Sequence, residues 1–181
     1  LFGGEGRDGS GILGVLNDLW RYDPQSLLTS QSSSEDIYYA RYTSGLELVW
    51  VKSVGGTDTD VSNFITSDLD NNIYMTGSFG SSMDFDPGEG TQTLTSNGDM
   101  DAFLAKYTTD GDYLNAFNVG GTMIEEAYYV DFDNDNNVYW SGILTSTNVD
   151  FDPGAGSVIL SSGGFSDIFI SKYDASGNHV W

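Results

Sequence analysis

The chain repeats itself at a fixed interval. Asp84-Phe85-Asp86-Pro87-Gly88 returns as Asp150-Phe151-Asp152-Pro153-Gly154, 66 positions later. Asp101-Ala-Phe-Leu-Ala-Lys-Tyr107 returns as Asp167-Ile-Phe-Ile-Ser-Lys-Tyr173, again 66 later, and is prefigured 65 earlier by Asp36-Ile-Tyr-Tyr-Ala-Arg-Tyr42. Val54-Gly55-Gly56 matches Val119-Gly120-Gly121. A period of this length means one supersecondary unit stacked on copies of itself, each burying apolar surface that it cannot bury alone.

Read from Asp101, one period holds four predicted strands: Asp101–Tyr107, Asp112–Val119, Ala127–Asp133 and Val138–Leu144. Asn136-Asn137 is expected to form a tight two-residue hairpin turn, because Asn tolerates positive φ. The preceding copy reads Asp36–Tyr42, Glu47–Val54, Ser62–Asp68 and Ile73–Phe79; a third begins at Asp167. Four antiparallel strands apolar on both faces describe a propeller blade covered by a neighbour on each side. The expected fold is therefore all-β, a β-propeller segment of four-stranded antiparallel blades repeating every 65–66 residues. Segments 80–100 and 145–166 then read as blade-to-blade connections with a small extra hairpin. Abundant aromatics with 23 Gly and 3 Pro suit many short strands.

Two families are resembled. Asp101-Ala-Phe-Leu-Ala-Lys-Tyr107, Val119-Gly-Gly-Thr122 and Asp133-Asn-Asp-Asn-Asn-Val-Tyr-Trp-Ser-Gly142, with their earlier copies, make residues 36–181 similar to the bacterial β-propeller repeats abbreviated SBBP. That resemblance implies two near-complete blades and a truncated third within a larger secreted or surface-attached bacterial protein. The family carries no uniform activity and no catalytic residues to transfer. Residues 1–24 resemble a partial Kelch blade through Leu1-Phe2-Gly3-Gly4 and Leu16-Asn-Asp-Leu-Trp-Arg-Tyr-Asp-Pro24. Only 20 residues separate Tyr22 from Tyr42, so residues 25–35 read as a linker or junction. Blades of this number suggest an arc cut from a longer protein.

Charge narrows the partners. Six Lys+Arg stand against 27 Asp+Glu, a net charge of −21. Nucleic acid requires a basic stripe, and an anionic membrane surface repels such a chain. No apolar run is long enough for membrane insertion as a helix. Basic proteins, cations and neutral glycans remain, together with neighbouring blades of a longer chain. Without cysteine, disulfides, thiolate nucleophiles and zinc fingers are excluded.

Three constellations could carry chemistry. Asp131, Asp133, Asp135 and Asn137 place oxygens at alternate positions, as calcium requires, with calcium the one candidate cofactor. The competing reading is a hairpin turn whose Asp and Asn cap backbone amides. Asp84-Phe-Asp86-Pro-Gly88 and its twin read as turns, with Gly in the left-handed position and Phe85 and Phe151 anchoring the loop. The alternative is a rim of paired carboxylates. Glu125-Glu126 read as loop acids, and no catalytic pair stands out. His179 is the sole histidine, which excludes His-based triads. Four of six bases directly precede a Tyr (Arg21, Arg41, Lys106 and Lys172), predicting pairing with a carboxylate or a ring.

The function expected is a non-enzymatic extracellular or cell-surface module for protein or glycan interaction. A calcium-stabilised structural module and a fragment of a carbohydrate-active enzyme are the alternatives.

Overall fold

A computed structural model describes residues 35–181 together with the backbone of one strand, β1 (Ile12–Leu16). Apart from the backbone of β1, the Kelch-like segment 1–24 lies outside the described residues, as does most of the linker over residues 25–35. The remaining strands are β2 (Ile37–Tyr42), β3 (Leu48–Gly56), β4 (Asp60–Ser67), β5 (Ile73–Asp84), β6 (Thr93–Tyr107), β7 (Tyr113–Val119), β8 (Glu125–Phe132), β9 (Val138–Leu144), β10 (Val149–Asp150), β11 (Ile159–Leu160) and β12 (Asp167–Tyr173). Every strand pair is antiparallel.

These strands form three successive sheets. The first, β1-β2-β3, and the middle, β4-β5-β6-β7, are linked through β3 and β5 in one seven-stranded order, and the last, β8-β9-β12, is separate. The tip of β3 also pairs with β5, Gly55 opposite Asp84 and Gly56 opposite Met83. Beyond β12, His179 bridges Tyr173.

The grouping expected from the sequence is corrected here. Asp101–Tyr107 and Asp112–Val119 belong with the two strands before them; Ala127–Asp133 and Val138–Leu144 belong with Asp167–Tyr173. The crossing between sheets is the short Gly120–Ile124 stretch. Segment 80–100 instead connects the second and third strands of one sheet, by extending β5 and β6 (Ser82 opposite Thr95, Asp84 opposite Thr93). Its copy, 145–166, carries the small β10–β11 hairpin. Strand patterning alone cannot choose between flanking partners, since a strand buried on both faces looks alike to either.

One turn design closes five hairpins. In Thr43–Glu47, Asp68–Asn72, Thr108–Asp112, Asp133–Asn137 and Asp174–Asn178, the fourth residue donates its N–H to the first carbonyl. The first N–H in turn donates to the fifth carbonyl. The fourth residue is left-handed each time: Leu46 (φ 64°), Asn71 (63°), Gly111 (78°), Asn136 (60°) and Gly177 (87°). This is the three-residue hairpin loop ending in a left-handed bulge, and it corrects the two-residue turn expected at Asn136-Asn137: only Asn136 is left-handed, and Asn137 pairs with Asp133.

The middle sheet is buried on both faces. Ile73, Met75, Phe79, Phe103, Ala105 and Tyr107 point back to meet Ile37, Tyr39 and Val54 of the first sheet. Tyr74, Ala102, Leu104 and Val119 point forward to meet Val130, Val138, Trp140, Phe169 and Tyr173 of the last. The two junctions thus use the same repeat positions: Ile73/Val138, Met75/Trp140, Phe103/Phe169 and Tyr107/Tyr173. Gly77 and its copy Gly142 are fixed by close approach: a Cβ would fall 1.9 Å from the Val61 carbonyl oxygen or 2.0 Å from that of Glu126. On the forward face of the last sheet, Ile168 and Ile170 are 81% and 61% exposed, whereas their copies Ala102 and Leu104 are 0% and 4%.

Candidate functional site

Acidity concentrates where chemistry would be sought, so the fate of each carboxylate decides what the molecule can do. Four positions after Gly55-Gly56 and after Gly120-Gly121 stands a buried acid, Asp60 or Glu125. Glu125 opens β8 and is wholly buried. Its Oε1 accepts from Thr145 N (3.0 Å) and Ser146 N (2.8 Å), and its Oε2 from Gly121 N (2.7 Å) and Ser146 Oγ (3.1 Å). Glu125 is therefore a structural hub rather than a loop acid, because four donors offset the desolvation of its charge. The shorter Asp60 reaches only Gly56 N (2.6 Å), leaving Oδ1 buried without a hydrogen bond. Burial, with Asp36 and Asp58 adding like charge, pushes its carboxyl up to about 7.

Asp101 is the counterpart from the other side of the crossing. It accepts from Asn97 N (3.1 Å), Asn97 Nδ2 (2.9 Å) and Asn118 Nδ2 (2.6 Å). A Cβ on Gly120 would lie 2.1 Å from its Cγ, so the carboxylate fills the space that the glycine leaves. Burial raises its pKa, against the pull of these amides.

The candidate calcium residues form the Asp133–Asn137 turn. Asp133 Oδ1 accepts from Asp135 N and Asn137 N (both 3.0 Å), and Oδ2 from Asn137 Nδ2 (2.9 Å). Lys172 Nζ sits 3.0 Å from the same Oδ2 and donates to Tyr139 Oη at 2.9 Å. An ammonium thus stands where a cation would. The Asn137 amide first, then Lys172, hold the Asp133 carboxyl well below the usual range. Asp131 bonds its neighbour Phe132 N at 2.8 Å. The box recurs at Asp68–Asn72 and Asp174–Asn178. Among the described residues, no three His, Asp or Glu side chains converge as a metal site.

The twin Asp-Phe-Asp-Pro-Gly segments spend their carboxylates on turns. Asp84 Oδ1 accepts from Asp86 N and Gln92 N; Asp150 Oδ1 accepts from Asp152 N and Val158 N. Phe85 and Phe151 are fully buried against Phe103 and Phe169 at 5.2 and 5.1 Å. The expected left-handed glycine is absent: Gly88 and Gly154 do not have positive φ. Close approach selects glycine instead, with a Cβ 3.1 Å from Asp86 Oδ1 or 3.0 Å from Asp152 Oδ1.

The described bases before tyrosines pair as expected. Lys106 Nζ lies 3.4 Å from Asp68 and 5.0 Å from the Tyr74 ring centre; Lys172 lies 4.8 Å from the Tyr139 ring centre. Arg41 reaches Thr109 O (3.3 Å) and Asp110 (3.7 Å) across the first junction. His179 packs edge-on to Tyr173 at 5.4 Å.

No family model matches the chain. Over 117 residues, 63% of its length, it is 29% identical to an uncharacterized WD repeat-containing protein of Acanthamoeba polyphaga mimivirus. It spans 8% of that protein's length. The described residues make an all-β repeat protein of stacked antiparallel sheets, and the likeness to a WD repeat-containing protein fits a propeller-like build.

Proposed function

We propose that the chain is an arc of β-propeller blades acting as a non-enzymatic interaction module at an extracellular or cell surface, with a protein or a glycan as its partner. The supporting observation is the disposition of its acids. Glu125, Asp101, Asp133, Asp84 and Asp150 are engaged by backbone, amide or ammonium donors of the fold itself, which leaves them poor general acids or bases. Exposed carboxylates such as Asp70, Glu89, Asp131 and Asp135, in a chain of net charge −21, suit basic partners, for which complementary charge sets association rate and specificity.

Immobilised chain should capture partners from panels of basic proteins or glycans, with protein capture weakened at high salt. Turnover of a glycoside in a hydrolase screen, with neither panel giving a partner, would sink the proposal. Calorimetric titration with calcium tests the second reading, a calcium-stabilised module held by Asp131, Asp133, Asp135 and Asn137: heat of binding that is lost in Asp133→Asn would support it, and no heat would remove it.

A further inference from the structure

Trp50 and Asn115 occupy the same point of the repeat, 65 positions apart. In the first junction the Trp50 indole lies on the β6–β7 turn. A Cβ on Gly111 would come 3.0 Å from its Cη2 and 3.2 Å from its Cζ2. The ring meets Tyr39 edge-on at 5.5 Å and packs in the cluster that contains Ile73 and Tyr107.

The second junction keeps part of these surroundings and omits the ring, with Leu104 in place of Tyr39 and Phe117 in place of Lys52. Gly177 replaces Gly111 in the same left-handed conformation, Val138 replaces Ile73, and Tyr173 replaces Tyr107. Asn115 replaces the tryptophan, and its Nδ2 stops 3.7 Å from the Cβ position of Gly177. A cavity of about 100 Å³ opens there, walled by Tyr74, Leu104, Phe117, Val138 and Tyr173, with Asn115 beside them.

We propose that this cavity is a binding site for a flat aromatic ring of indole size, seated where the preceding junction carries its own Trp50 side chain. The walls are suited to a neutral ring. Tyr173 Oη is committed to Phe151 O at 2.8 Å, so the tyrosine presents its ring to the cavity. Phe117 lies 4.9 Å from that ring, and offset or edge-on aromatic contacts at such distances are favourable. Lys106 also borders the space, but it is held by Asp68 and Tyr74, which favours a neutral ligand over an anion. The exposed Asn115 amide offers a donor and an acceptor to a polar ring atom. A closed apolar cavity of about 150 Å³ holds benzene; this one, about 100 Å³ and open to solvent, seats part of an indole and leaves the rest of the ring protruding. The ring could come from a free small molecule or from a tryptophan side chain of a partner.

Calorimetric and NMR titrations of the 181-residue chain with indole and with N-acetyltryptophanamide test the site. One ring per chain is expected, at about millimolar affinity for so few atoms. Asn115→Trp should fill the cavity, raise the melting temperature and weaken binding at least about tenfold. Trp50→Asn should open the equivalent space and double the stoichiometry; should that variant not fold, Asn115→Leu, a partial filling, should weaken binding to an intermediate degree. Binding of indole alone assigns the site to a small molecule; binding of both ligands assigns it to a side chain as well. Absence of saturable binding of either, or Asn115→Trp binding as the parent does, overturns the proposal.

Discussion

The second junction holds a polar relay that should dominate the response to one isosteric change. Trp140 is fully buried, and its Nε1 donates to Thr76 Oγ1 at 2.7 Å across the two sheets. That hydroxyl donates onward to Phe103 O at 2.5 Å. Thr76→Val keeps the shape but removes the acceptor, stranding a buried indole N–H at a cost of about 1–3 kcal/mol. Trp140→Phe removes that donor and leaves a smaller ring among Phe117, Phe169 and Tyr173, at a cost of about 2 kcal/mol from the space left behind. In the double variant no N–H is stranded. Thr76→Val should then cost under about 1 kcal/mol, giving a coupling of roughly 1–2 kcal/mol. Urea unfolding of the parent, both single variants and the double variant, followed by far-ultraviolet circular dichroism, measures it. Additivity within about 0.5 kcal/mol would show that the bond contributes nothing specific and that the junction is held by shape alone.

Leu46 stands left-handed at a turn position that its copies fill with Asn or Gly, and it is 71% exposed. Leu46→Gly should stabilise by about 1 kcal/mol, read from the melting temperature; no gain would contradict the turn geometry. Asp60 should tilt stability with pH. Its folded pKa lies above the usual 3.8, so the folded state holds the extra proton. Its contribution is complete below about pH 4 and is lost as pH rises through about 7. Asp60→Asn should therefore match the parent near about pH 4 and melt higher near about pH 8; parallel melting curves across that range would refute the assignment. The repeat also predicts unequal twins. Leu104→Ser should cost about 2–4 kcal/mol, whereas Ile170→Ser, on the uncovered face, should cost under about 0.5 kcal/mol in chemical denaturation.

Much of the fold was legible because the period reports burial. Phe103, Ala105 and Tyr107 alternate with Ala102 and Leu104, and apolar residues on both faces require cover on both sides. The Asp-Asn turns were legible through Asn at a position that needs positive φ. Partner choice was not, since Asp101–Tyr107 is equally fit to pair on either side. The Gly120-Gly121 break was the signal for a crossing between sheets. The role of Glu125 was hidden by its neighbour Glu126. The clue lay in spacing, with Gly56 to Asp60 and Gly121 to Glu125 both four residues apart. Lys172, held at Asp133 from 39 positions away, had no local signature, because a cross-strand partner is set by register. The cavity beside Asn115 could be foreseen only as a missing tryptophan; whether neighbouring groups would close over the gap depends on packing.

A sheet clasped from front and back must be the last to let go. Opening either end strips cover from one side of β5 and β6 while the opposite side keeps its grip, so loss of structure should travel inward from the ends. Backbone amides of Met75, Phe103 and Ala105 should trade hydrogen for deuterium most slowly, and those near Ile168 and Ile170 soonest, ordering the chain by position in the stack rather than by hydrophobicity.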